Sequence, residues 1–364
     1  MSWYAVEAVD DAVETTRRFL FPFGLVRWAK LALLVLFMGG GANAGVSVPA
    51  VPDARLGGVP GFFGGRGVGT ETGSAAELDA GVSDLLAGTP GDWEIVALVG
   101  AAVGAVVGLS VASLSLRLVF YDALRTNQVR LWRPFLERLR QAVGLFAASA
   151  VLWLVAAAPI AVAVVGGVAA EGSTGWGPVD SFAAAVGSLS VGATVAVSLF
   201  GAVVVLLATL ALRLTYEFVV PAMVVEGTGV VAGWQRVWHA VRGRWTEVFV
   251  YLAVHFFVGI GTVIVEAVAF VIVGSAIAAV AGSALLLAAV PLGGLGALVA
   301  TTAGAVTVAV VTIAAVVTVV AVTLPVGVVT RSYLIAYEVA TLGGIDPELA
   351  LLHPDLVPAS ADVV

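Results

Sequence analysis

The chain has 364 residues, 60% of them hydrophobic and 11% charged, and a mean hydropathy of +1.08. That is more apolar surface than a soluble core can hide, so the composition excludes a water-soluble globular protein and implies a polytopic membrane protein. A net charge of −7 and a pI near 5.0 argue against nucleic acid as the main partner.

Cysteine is absent, which excludes a disulfide, a thiolate metal site and a cysteine nucleophile. His239, His255 and His353 are too scattered in sequence to propose a zinc site, so neither metal nor cofactor is expected.

In chain order, the first twenty residues read as an amphipathic helix. Val6, Val9, Val13, Leu20 and Phe23 make its apolar stripe, and Glu7, Asp10, Asp11 and Glu14 precede Arg17 and Arg18, as the helix dipole favours. Acidic and then basic, this segment lacks the uninterrupted apolar core of a cleavable signal peptide. A first span over 31–46 is short and Gly-rich, and 23–30 lengthens it if Arg27 and Lys30, the only lysine, snorkel toward head groups. The loop over 42–92 is dense in Gly and Pro without periodicity, so it is expected to be irregular.

A second span, 95–116, carries Gly100, Gly104 and Gly108 at every fourth position, a helix-packing seam. Uncharged runs at 142–170, 181–212, 248–265 and 295–329 supply four more, each long enough for a hydrocarbon core of about 30 Å. The stretch 248–329 holds one charge, Glu266, and is read as two long helices with a hairpin near 281–294 rather than three passes.

The expected fold is therefore all-α, with about six transmembrane helices. Six spans place every basic residue except Arg55 and Arg66 on the side of the termini, which puts both termini in the cytoplasm.

One unit recurs along the chain: an inner amphipathic helix, a span out, an outer loop, and a span back ending in Arg, Tyr and an acid. Its exit groups are Arg117 with Tyr121 and Asp122, Arg213 with Tyr216 and Glu217, and Arg331 with Tyr337 and Glu338. Three two-helix repeats are expected, over 1–130, 131–229 and 230–338, before a tail over 339–364.

The second amphipathic helix has its stripe at Leu131, Trp132, Phe135, Leu136, Leu139, Val143 and Phe146, with Arg133, Arg138 and Arg140 off it. The third has Val230, Trp234, Val237, Trp238, Val241 and Trp245, with Arg236, Arg242 and Arg244 mostly off it. These Arg and Trp residues are the candidate contacts with anionic lipid or partner chains at the inner interface.

Glu266 is the one ionisable group deep in a span, and Tyr251, His255, Thr262 and Glu266 fall on one helical stripe. Such an acid is costly in a membrane and marks a functional position by default. It fits either a proton or ion relay, or a hydrated position near the outer interface.

The block PAMVVEG from Pro221, followed by a Trp/Arg helix ending VRGRW at Trp245, resembles the membrane region of the glycerophosphoryl diester phosphodiesterase membrane-domain family. The opening SWYAVEAVDDAVETTRRFLFPF and the block LWRPFLERLRQAVGLF resemble an uncharacterised haloarchaeal branch of such proteins. In that family the membrane region can be fused to a soluble catalytic barrel. This chain leaves no room for one after its spans, so the resemblance implies membrane architecture and not catalysis.

The expected function is a non-enzymatic membrane scaffold or assembly partner, binding anionic lipid and either further copies of itself or other membrane proteins. The alternative is a carrier or channel for a small solute or ion using the stripe that ends at Glu266.

Overall fold

The computed structural model describes residues 3–21, 23–42, 92–171 and 175–358, so the Gly-rich loop expected over 42–92 lies almost wholly outside the described residues. The helices in chain order are α1 (Tyr4–Leu20), α2 (Leu25–Ala42), α3 (Asp92–Thr126), α4 (Trp132–Glu171), α5 (Gly177–Gly187), α6 (Val191–Leu214), α7 (Val220–Glu226), α8 (Val230–Val241), α9 (Trp245–Leu292), α10 (Leu295–Ala300) and α11 (Thr302–Ile345). No strand occurs among the described residues.

Among the described residues, five segments are long and apolar enough to cross a membrane: Val96–Thr126, Trp132–Gly167, Val191–Glu226, Trp245–Leu292 and Thr302–Ile345. Helix α2, the sixth span expected, is not among them. Arg27 donates to Asn127 Oδ1 at 2.9 Å and Lys30 to the Val129 carbonyl at 3.3 Å, tying α2 to the α3–α4 turn.

Neighbouring helices pack in the sequence α6, α4, α3, α2, α11, α9, with α1 laid against α11 and α9. Side chains are buried mainly at one end of this row, where α7 and the π-turn before it cross back to α3 and α11. The other ends stand open: Val96 is 71% exposed, Val290 77% and Val299 85%.

One expectation about the amphipathic helices is corrected. The second is not a separate element, because α4 runs unbroken from Trp132 through the span. Helix α1 packs the face beside its valine stripe against the bundle. Ala5, Ala8, Ala12, Thr16 and Phe19 are buried, while Val6 and Val13 are more than half exposed. Small side chains let α1 approach α11 closely, and the Tyr4 ring comes to 3.1 Å from where a Cβ on Gly344 would stand. Close backbone approach outweighs the larger apolar area of valine here.

Between α9 and α11 the chain reverses through Gly293 and Gly294, both at positive φ (96° and 116°), a region L-residues avoid. This gives two long helices, with the turn at the C-terminal edge of the expected hairpin region.

The described C-terminal segment is not loose. Leu349, Leu351 and Leu356 are buried, Thr15 donates to the Leu356 carbonyl at 3.2 Å and Arg18 to the Val357 carbonyl at 2.8 Å. Both ends of the described chain therefore meet at the packed end of the bundle.

Candidate functional site: a buried polar hub

The most chemically dense region is built by a break in a helix. Pro221 has no N–H to offer the carbonyl of Glu217, four residues earlier, and its ring crowds that carbonyl. The chain answers with a π-turn over Thr215–Val219, in which the Val220 N–H reaches back five residues to the Thr215 carbonyl. Glu217 sits in that turn, 7% exposed, beside α9 and α11.

Tyr251 on α9 donates to Glu217 Oε2 at 2.8 Å, and Arg213, one turn before Glu217, donates to Oε1 at 2.9 Å. His255 Nδ1 lies 3.0 Å from the Tyr251 hydroxyl. On α11, Glu338 accepts from Tyr121 of α3 at 2.9 Å. Tyr337 stacks on Tyr251 with ring centroids 5.6 Å apart, and its hydroxyl is buried without a hydrogen-bond partner among the described residues. Arg117 covers the Tyr216 ring at 4.9 Å and donates to the Tyr216 carbonyl, while the Tyr216 hydroxyl donates to Ser149 of α4.

Members of all three exit groups thus converge on one knot. The sequence marks them as a recurring pattern, and the fold makes them contacts.

Ligand atoms of Glu217, His255 and Glu338 lie within 4.8 Å of one another, a spacing that invites a metal. The charges fit one poorly. Arg117 and Arg213 already balance Glu217 and Glu338, so a divalent ion adds two uncompensated charges to a buried site. Carboxylate oxygens are also committed to Tyr251, Tyr121 and Arg213.

A proton fits better. The single phenolic hydrogen of Tyr251 goes to Glu217, so His255 donates from Nδ1, leaving Nε2 at 3.5 Å from Glu217 Oε1. A neutral ring turns a lone pair toward that carboxylate, and a protonated one makes an ion pair. His255 Nε2 and Glu217 Oε1 thus face each other at a distance that one bridging proton would shorten.

The expected stripe divides. Tyr251 and His255 join the hub, whereas Thr262 bonds back to the Gly259 carbonyl. Glu266, half-buried, accepts a hydrogen bond from Thr330 of α11.

The expected interfacial contacts divide as well. Trp234 turns inward and donates to Thr215 Oγ1 at 3.1 Å. Arg138 makes a two-pronged pair with Asp122, both contacts at 2.8 Å, and Arg236 spans Glu226, Asp346 and Glu348. Trp132, Arg133, Arg140, Trp238, Arg242 and Trp245 face outward, while exposed Arg244 donates to the Ile345 carbonyl. A methyl group placed on Gly100, Gly104 or Gly108 would meet nothing within 4 Å, so no described helix of this chain packs on that seam. The N-terminal half of α3 stands clear of the other described helices.

Residues 3–352 match a family described as a family of unknown function (DUF7544). The chain belongs to that family. The match runs from the start of α1 to the turns beyond α11, so the hub and every described span are inside DUF7544. No curated protein and no solved structure matches the chain.

The sequence singles out Tyr251, His255 and the exit acids but does not bring them together. The signal lies in the three-fold recurrence of Arg, Tyr and acid, because polar groups repeated at helix ends in a membrane protein need partners. Periodicity marks Glu217 only as an exit residue, and its special position is hidden in the four-residue spacing to Pro221.

Proposed function

We propose that this chain is a non-enzymatic integral membrane protein that acts as a scaffold or assembly partner, bound to anionic lipid and to other membrane chains. The observation that carries this reading is the length of the α9–α11 arm. From residue 248 to 292 α9 has a single charge, and as a helix this stretch rises roughly 67 Å against a hydrocarbon core of roughly 30 Å. Tilting by as much as about 40° leaves it too long. Val280, Leu287 and Val290 near its far end are each more than 70% exposed. Apolar helix beyond the lipid calls for a covering partner.

The pairing of α2 with α3, α4 with α6 and α9 with α11 supports the three-unit organisation, and the gathering of basic residues on the side of the termini supports a cytoplasmic placement of both. The Pro221 to Trp245 block supports a distant kinship with the membrane region of the glycerophosphoryl diester phosphodiesterase family, and the blocks that open at Ser2 and Leu131 support a haloarchaeal source.

The test is extraction from membranes into native nanodiscs followed by mass measurement. Particles holding more than one 36.8 kDa chain, or this chain with a stable companion, are expected. Monomeric, partner-free particles at every protein concentration overturn the reading.

A second reading, a carrier or channel for an ion or small solute, is favoured by the proton position between His255 and Glu217. It expects proton-coupled flux in proteoliposomes that His255→Gln and Glu266→Gln each abolish. Wild-type flux in both folded variants removes it.

A further inference from the structure

The turn between α8 and α9 meets the end of α11 in an open pocket of about 430 Å³, lined by His239, Arg242, Gly243, Arg244 and Asp346 among others. The Arg242 guanidinium has no partner among the described residues, and His239 uses only Nδ1, against the Gln235 carbonyl at 2.6 Å. The acid in the lining is already engaged, since Asp346 pairs with Arg236 at 2.9 Å. Uncommitted positive charge therefore faces a concave space at the start of a 48-residue helix, whose first N–H groups add the favourable end of the helix dipole.

Beside it stand Trp238 and Trp245, edge to face with centroids 5.5 Å apart, 50% and 39% exposed. Exposed tryptophans at the end of an apolar span sit at head-group depth.

We propose that this pocket binds a phosphate group, with Arg242 as its donor, the His239 ring beside it, Arg244 at its rim and the Trp238–Trp245 pair against the attached acyl glycerol. The chemistry is that of a phosphate monoanion, whether carried by an anionic lipid head group or free in solution. The flanking tryptophans and the adjoining span favour the lipid. The pocket deepens the lipid-binding half of the proposed function and rests on it.

The full chain in mild detergent is titrated with short-chain phosphatidylglycerol, phosphatidylcholine and inorganic phosphate, and bound ligand is counted by native mass spectrometry. Phosphatidylglycerol is expected to bind in preference to phosphatidylcholine, and about tenfold more weakly to the variant carrying Arg242→Gln with His239→Gln. A control carrying Arg17→Gln with Arg130→Gln, both exposed and outside the candidate lipid contacts, should bind as the wild type does.

Inorganic phosphate that binds and displaces the lipid supports the shared chemistry. Phosphate binding without lipid binding assigns the pocket to a free anion. Equal losses in both variants, or none in the pocket variant, overturn the pocket while leaving lipid binding intact. Failure of the wild type to bind any anionic lipid or phosphate overturns the pocket and the lipid half of the proposed function together. Unchanged melting curves keep misfolding out of the comparison.

Discussion

Tyr251 hands its one phenolic hydrogen to Glu217 across 2.8 Å, from the first turns of one long helix to the π-turn of another. Both are almost fully buried, so this bond joins the second and third helix pairs where water cannot substitute. Replacing Tyr251 with Phe leaves Glu217 Oε2 without its donor and should destabilise the fold by about 1 to 3 kcal/mol. Thermal unfolding in detergent measures it. Tyr121→Phe, which removes the donor to Glu338, should behave alike, and a combined loss departing from the sum would show that the two bonds act as one network.

Arg138 grips Asp122 with two nitrogens, each at 2.8 Å, and is mostly buried. Lysine keeps the charge but not the fork. Arg138→Lys should therefore cost nearly as much as Arg138→Ala, about 1.5 to 3 kcal/mol. Full stability in the lysine variant would show that charge alone suffices.

A methyl group added at Gly233 would meet Met223 and Val219 side-chain carbons at 2.9 Å, where α8 lies on α7. Gly233→Ala should cost about 1 to 3 kcal/mol through overpacking. Gly100→Ala, with nothing within 4 Å, should leave the isolated chain unchanged. If the α3 seam seats another chain, the same Gly100 substitution should weaken assembly in nanodiscs, and unaltered particle masses would clear the seam of that role.

Glu14 has its carboxyl held below the usual carboxylate range, first by the hydrogen bond from Arg18 and then by the charges of Arg17 and Arg18, with slight burial opposing. Arg18 also holds the Val357 carbonyl. Because the folded pKa is lowered, this support is present above the ordinary carboxylate pKa and is lost as pH falls through the lowered value. A spin label on Asp355→Cys, in a chain without native cysteine, should gain mobility as pH is lowered through that range. Glu14→Gln should show the greater mobility already at neutral pH.

Much of the architecture is readable from periodicity and charge. The uncharged runs announce the long helices, and the glycines before residue 295 announce the reversal between α9 and α11. Along α1 periodicity marks the valine stripe but not the alanine face that meets α11, because periodicity ranks residues by apolar area while close helix contact selects alanine. The continuity of α4 is equally hidden, since an amphipathic pattern followed by an apolar one does not require a break.

What the sequence by itself determined was the medium and the parts: a membrane protein, helices of known position, and three recurring sets of Arg, Tyr and acid. Which of these meet was decided only by the tertiary structure. Glu217, His255 and Glu338 come from the π-turn after α6, from α9 and from α11, and their approach depends on helix crossings and on one added residue in the turn before Pro221. The physical reason is range. Helix formation and membrane partition act within a span and are written into it, whereas pairing of buried polar groups acts between spans far apart in sequence and depends on how every helix packs.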